Sequence, residues 1–194
     1  MKVINQTVMT LTATAFQIEF ERRRKELVED TRKSESKRNE TGNLWKHSLK
    51  KALEAAGFTV VLEHPHVIFD NGVEFDKLKS DVSVFYETKL IAVIESKDYF
   101  SIDYVRRAAC ELSEICKSHN CIGFLFQGRK AYGNNDRAVK WVKKYGQNIE
   151  IITMIDDQRR LVNGALQTTI NTDFDVKYDR VNTIINKLNE IIQR

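Results

Sequence analysis

Proline is nearly missing from this chain: Pro65 is the only one in 194 residues. Glycine is scarce as well, at eight. A chain so poor in both has no proline-rich or glycine-rich linker, and no repeat or low-complexity tract interrupts it. Cysteine is limited to Cys110, Cys116 and Cys121. Their odd number argues against a disulfide framework and their spacing fits no zinc pattern, so free thiols in a reducing compartment are expected. No apolar run approaches membrane-spanning length. The N-terminal stretch carries no signal-peptide pattern, because Arg22-Arg23-Arg24-Lys25 follow a weak, Thr-interrupted apolar segment. The expectation is a cytoplasmic protein with no membrane association, folded as a single domain over 1–194 with enough chain for a real core. The net charge of +4 permits nucleic-acid binding without demanding it.

Helix and strand periods alternate along the chain. Residues 11–38 read as a charged helical arm, with Phe16, Phe20 and Leu27 at helical spacing. It could serve as a dimerisation arm, a DNA-contacting arm or a helix packed on the core. A break at 39–43 precedes a helix over 44–56, capped by Gly57. Residues 58–63 read as a strand, and His64-Pro65-His66 as a turn rather than a metal-binding pair. Asn71-Gly72, set between Val-Ile-Phe and Val-Glu-Phe, signals a two-residue hairpin within 67–76. A helix is expected after Lys97, with Ser101 as its cap and Ile102, Val105, Ala109, Leu112 and Ile115 or Cys116 as its buried stripe. The strand 121–127 follows, and a strand–helix–strand connection of that length favours parallel pairing. A short helix over 135–145, a strand over 150–155, an ambiguous polar segment over 158–175 and an amphipathic helix over 178–192 complete the chain.

The richest stretch is 79–97. Two β-branched apolar runs, Val82–Tyr86 and Leu90–Ile94, flank Glu87-Thr88-Lys89 and read as a hairpin. Asp81 opens the first strand; Glu95, Ser96 and Lys97 close the second. Side chains alternate along a strand, so Glu95 and Lys97 share a face. In an antiparallel pair the start of one strand lies beside the end of the other, which brings Asp81 next to both. Two carboxylates make a hard oxygen site for Mg²⁺. A neighbouring lysine can hold a water and steady negative charge. The tripeptide alone means little, since Glu35-Ser36-Lys37 repeats it in a charged run with no apolar strand before it. The bland alternative is a structural ion-pair cluster at strand ends.

Asp81 followed by Glu95-Ser96-Lys97 resembles the PD-(D/E)xK nuclease superfamily, with Ser80 where the family's proline often stands. The resemblance covers roughly 41–127, leaving 11–38 as an arm and 128–194 as a C-terminal extension. It implies an α/β protein with a restriction-endonuclease-like core: a central mixed β-sheet flanked by helices, with the N-terminal helical arm. It also implies a Mg²⁺-dependent DNA endonuclease, most simply a type II restriction enzyme or its small subunit. Asp81, Glu95 and Lys97 would be catalytic. Asp81, Glu95 and the main chain of Ser96 would hold Mg²⁺, with Mn²⁺ as a substitute. The products would carry 5′-phosphate and 3′-hydroxyl ends. A further family acid, expected on the helix near Lys46, is missing, and only Glu40 stands near it. Cutting both strands of double-stranded DNA needs two sites, so a homodimer or a partner subunit is expected. Arg106, Arg107, Arg129, Lys130 and Asn134 are the candidate DNA contacts, the last three from a basic loop over 128–135. Two other readings remain open: a structure-selective repair or recombination nuclease, such as a junction resolvase, and a non-catalytic nucleic-acid-binding subunit.

Overall fold

The run Leu-Ile-Ala-Val-Ile ahead of Glu95 shows no polar alternation, so a strand built from it has to be covered on both faces. In the computed structural model it is. Residues 6–31, 40–98, 102–130, 135–145, 148–158, 161–162, 165–166 and 174–193 are described. The sheet comprises β1 (Thr59–Asp70), β2 (Val73–Tyr86), β3 (Lys89–Lys97), β4 (Ile122–Lys130) and β5 (Ile149–Gln158), in that spatial order. The β1–β2 and β2–β3 pairs are antiparallel; β3–β4 and β4–β5 are parallel. The sheet is therefore mixed, and β3 is its middle strand. Ile91, Ala92, Val93 and Ile94 are all buried.

Helices cover both faces. On one lie α1 (Gln6–Thr31), α2 (Glu40–Ala55) and α5 (Val181–Ile192). Phe16 and Phe20 of α1, Trp45, Leu49 and Leu53 of α2, and Ile184 and Leu188 of α5 pack with Val82, Val84, Ala92, Ile94, Phe124 and Phe126 of the sheet. On the other lie α3 (Ile102–His119) and α4 (Asn135–Tyr145), whose Val105, Ala109, Leu112 and Val142 meet Val93 and Leu125. Val93 and Ile94 thus point to opposite cores, as strand alternation requires. The N-terminal helix packs on this core through Phe16 and Phe20, both fully buried. A two-strand ribbon, β6 (Leu161–Val162) with β7 (Ala165–Leu166), falls in the stretch that looked ambiguous.

Several expected boundaries move. The helix expected at 44–56 begins at Glu40, and ends in a Schellman motif. There Gly57 takes φ 93°, its N–H bonds the Glu54 carbonyl, and the Phe58 N–H bonds that of Leu53. His64-Pro65-His66 is not a turn but the middle of β1, paired through Pro65↔Lys79 and His66↔Leu78. Proline is tolerated because β1 is an edge strand, where a missing N–H costs no ladder bond on the open side. The two expected hairpins share one strand, so Asp81 lies inside β2 instead of opening it. Both residues of the Asn71-Gly72 turn have positive φ, 49° and 80°, as a type I′ hairpin requires. Cys116 and Cys121 are buried free thiols as expected, whereas Cys110 is exposed. No helix among the described residues is long and apolar enough to cross a membrane.

Candidate functional site

The β2–β3 ladder ends at Val82↔Ile94. Asp81 and Glu95 take the next position on each strand, the place where β2 parts from β3. Beyond it β2 stays paired with β1 alone, while β3 stays paired with β4 through Lys97↔Gln127. The opening is held by one side chain: Asp81 Oδ2 accepts the Ser96 main-chain N–H at 2.8 Å. The hairpin thus brings Asp81, Glu95 and Lys97 together, as the alternation argument anticipates.

Glu95 is only 7% exposed. Burial pushes its carboxyl up, and the Asp81 charge pushes the same way, to about 8. The Tyr104 hydroxyl and the Lys97 ammonium oppose that shift, and Glu111 adds to it. The hydroxyl donates to Glu95 Oε2 at 2.9 Å. The Lys97 ammonium lies 5.1 Å from the centroid of the same ring, and the Arg107 guanidinium 5.0 Å from it. Tyr104 therefore links the acid, the lysine and an arginine on the α3 side of the sheet. The motif did not point to it. Its signal was positional: a helix that starts directly after a strand lays its first turn over that strand's end.

Immediately behind Lys97, Asp98 anchors the strand end. Its Oδ1 accepts the Trp45 indole N–H at 3.1 Å, and its Oδ2 accepts an Arg129 guanidinium N–H at 3.1 Å. Its carbonyl accepts the Arg129 main-chain N–H at 2.8 Å. This corrects the expectation for the basic loop. Gly128, Arg129 and Lys130 belong to β4, and Arg129 is fully buried, ion-paired with Asp98 and stacked on Phe174. It is structural and not open to a phosphate. The Lys130 side chain and Asn134 lie outside the described residues, as does Ser101. Arg106 and Arg107 are exposed on α3. With Asp103 and Cys110 they line a cavity of about 310 Å³, Arg106 stacking on Trp141 at 4.2 Å.

Asp70, Glu74 and Asp76 are exposed around the Asn71-Gly72 turn, at the far end of the β1–β2 hairpin from Glu95. His66 is buried, with Nε2 3.0 Å from both the Ser80 and Ser83 hydroxyls. Among the described residues, no set of three His, Cys, Asp or Glu side chains is placed to hold a metal. Among the described residues, Asp81 and Glu95 are the acids that face each other across the β2–β3 strand ends. Their chemistry suits a hydrated Mg²⁺, which keeps several waters and needs one or two carboxylates. A cation there would relieve the repulsion that the Asp81 charge exerts on the Glu95 carboxylate. On α2, where a third acid would stand, Lys46 is buried with its ammonium 3.9 Å from Asp81 Oδ1.

The fold and site together define an α/β protein with a five-stranded mixed sheet between helices, carrying an acidic pair and a lysine at its central strand end. No family model matches the chain, and neither a curated protein nor a solved structure matches it significantly.

Proposed function

We propose that this chain is a Mg²⁺-dependent DNA endonuclease with a restriction-endonuclease-like core, acting as a type II restriction enzyme. One observation carries the reading: Asp81, Glu95 and Lys97 converge where β2 leaves β3. Asp81 and Glu95 would hold the ion, helped by the Ser96 carbonyl, and Mn²⁺ would substitute for it. A bound Mg²⁺ would polarise the phosphoryl oxygen and lower the pKa of a water. Lys97 orients the attacking water and offsets the negative charge that grows on the phosphoryl group. Tyr104 fixes the Glu95 carboxyl in place. Arg107 and Arg106 extend positive charge along α3 from Tyr104, toward neighbouring phosphates of double-stranded DNA. A duplex cut uses two copies of the chain or a partner subunit.

The burial of Arg129 favours a second reading within the same chemistry. It removes one expected sequence-reading contact, which suits an enzyme that recognises branched DNA by shape. A non-catalytic ion-pair cluster is the third, supported by the closeness of Lys46 to Asp81.

The test is cleavage of supercoiled plasmid and phage DNA by wild type and Lys97→Ala, with Mg²⁺ or EDTA. Discrete metal-dependent bands that vanish in the variant support the restriction reading. Cutting confined to branched DNA moves the assignment to the second. Absence of cutting on every substrate, together with no Mn²⁺ binding, overturns the enzyme.

A further inference from the structure

Lys46 does more than leave a gap in the acidic set. It is 8% exposed, on a helix whose neighbours Leu44, Trp45 and Ser48 are buried. A buried ammonium needs partners. Lys46 has Glu63, which it contacts directly, and Asp81 Oδ1 at 3.9 Å. Glu63 takes a positive φ of 54° within β1, and its other oxygen is held by Lys79 at 2.7 Å. Lys46 is thus a braced cation fixed beside Asp81, unlike a mobile surface lysine.

Resting on the nuclease reading above, we infer that this site takes one divalent ion, and that the Lys46 ammonium occupies the place beside Asp81 that a second ion would need. Two-ion sites share a carboxylate between the metals. Here Asp81 has one oxygen committed to the Ser96 N–H and the other facing Lys46. The local charges point the same way. With Glu95 ionised, Asp81, Glu63 and Glu95 balance Lys46, Lys79 and Lys97, so one divalent ion already leaves an excess of positive charge. A second would meet both that ion and a fixed ammonium within a few ångströms of their common ligand. Lys46 then supplies positive charge on the α2 side of Asp81, and Lys97 supplies it on the α3 side.

The test is Mn²⁺ titration of the full chain, followed by electron paramagnetic resonance and calorimetry, with circular dichroism and thermal melting as the check on folding. Wild type is expected to bind one Mn²⁺ per chain. Lys46→Glu, which restores an acid beside Asp81, is expected to bind two. Two ions on wild type overturn the single-ion inference while leaving the nuclease reading standing. A folded Lys46→Glu that still binds one ion also overturns it. No Mn²⁺ on wild type overturns both. If Lys46→Glu fails to fold, Lys46→Gln decides: removing the ammonium should tighten the single ion by about tenfold or more, and an unchanged affinity refutes the role given to Lys46.

Discussion

Glu95→Gln tests the site through stability, without needing a substrate. The Glu95 carboxyl is buried beside Asp81 and pushed up from 4.5 to about 8. Below pH 4.5 the folded and unfolded chains both carry the proton. Between 4.5 and about 8 the unfolded chain releases it and the folded chain keeps it, so stability falls as pH rises. Above about 8 the loss is complete. At roughly 1.4 kcal/mol per pH unit, the shift corresponds to a loss of about 3–5 kcal/mol. Glutamine keeps the shape, still accepts the Tyr104 hydroxyl and does not titrate. In EDTA, Glu95→Gln should therefore be the more stable protein at alkaline pH by about that amount, and should match wild type within about 1 kcal/mol at pH 4.5 and below. Urea unfolding across the pH range measures it, and the difference between the two proteins cancels the titrating groups that do not interact with Glu95. Mg²⁺ should narrow the gap at pH 8, raising the wild-type midpoint by more than the variant's. Stability profiles that run parallel between pH 4.5 and about 8 would refute the buried acid pair.

Three further outcomes check the surroundings. Burial, with His64 and His119 nearby, holds the His66 imidazole down at about 4. Stability should fall as pH drops from 6.5 to about 4, by on the order of 2–3 kcal/mol, and His66→Gln should flatten that limb in urea titrations; an unchanged limb refutes it. Gly128→Ala would set a Cβ 2.4 Å from the Trp45 ring, which is packed by Phe20 and Phe126 and bonded to Asp98. The expected cost is about 2–4 kcal/mol, with a change in tryptophan fluorescence; wild-type stability would refute the packing. Arg129→Ala removes a fully buried cation from the half-buried Asp98 carboxylate and should cost about 3–5 kcal/mol, whereas the exposed Arg107→Ala should stay within about 1 kcal/mol of wild type and weaken DNA binding in low salt. The reverse pattern would return Arg129 to the list of DNA contacts.

What could be read from the sequence followed from local rules. The Val82–Tyr86 and Leu90–Ile94 runs specify their own hairpin, and alternation then fixes which of Glu95, Ser96 and Lys97 share a face. The length of the α3 connection predicts the parallel β3–β4 pair. The misses depend on distant partners or on exposure. Glu74 to Lys79 hides a strand because this part of β2 pairs only with β1 and is almost wholly exposed, so no apolar period marks it. Pro65 reads as a breaker until β1 is known to be an edge. Gly128-Arg129-Lys130 has the composition of a basic loop, and only Asp98, 31 positions away, turns it into buried strand. Tyr104 needed the position of α3 over the end of β3.

The register of β3 decides whether these residues can act together. Val93 faces the core beneath α3 and α4, and Ile94 faces the one beneath α1, α2 and α5. Glu95 therefore emerges on the α3 side, against the Tyr104 hydroxyl, with Lys97 following on the same side. A slip of one residue would turn the carboxylate toward the apolar core of Phe124 and Phe126 and would bring Ser96 out in its place. Three contacts guard against that slip. The Asp81 carboxylate holds the Ser96 N–H, the Asp98 carbonyl holds the Arg129 N–H, and the Asp98 carboxylate receives both Trp45 and Arg129. Each involves Ser96 or Asp98, within three residues of Glu95, and together they tie the strand end to β2, β4 and α2. The polar groups that end the central strand are thus the same ones that set its register, so weakening Asp98 should misplace Lys97 even though Asp98 takes no part in the proposed chemistry.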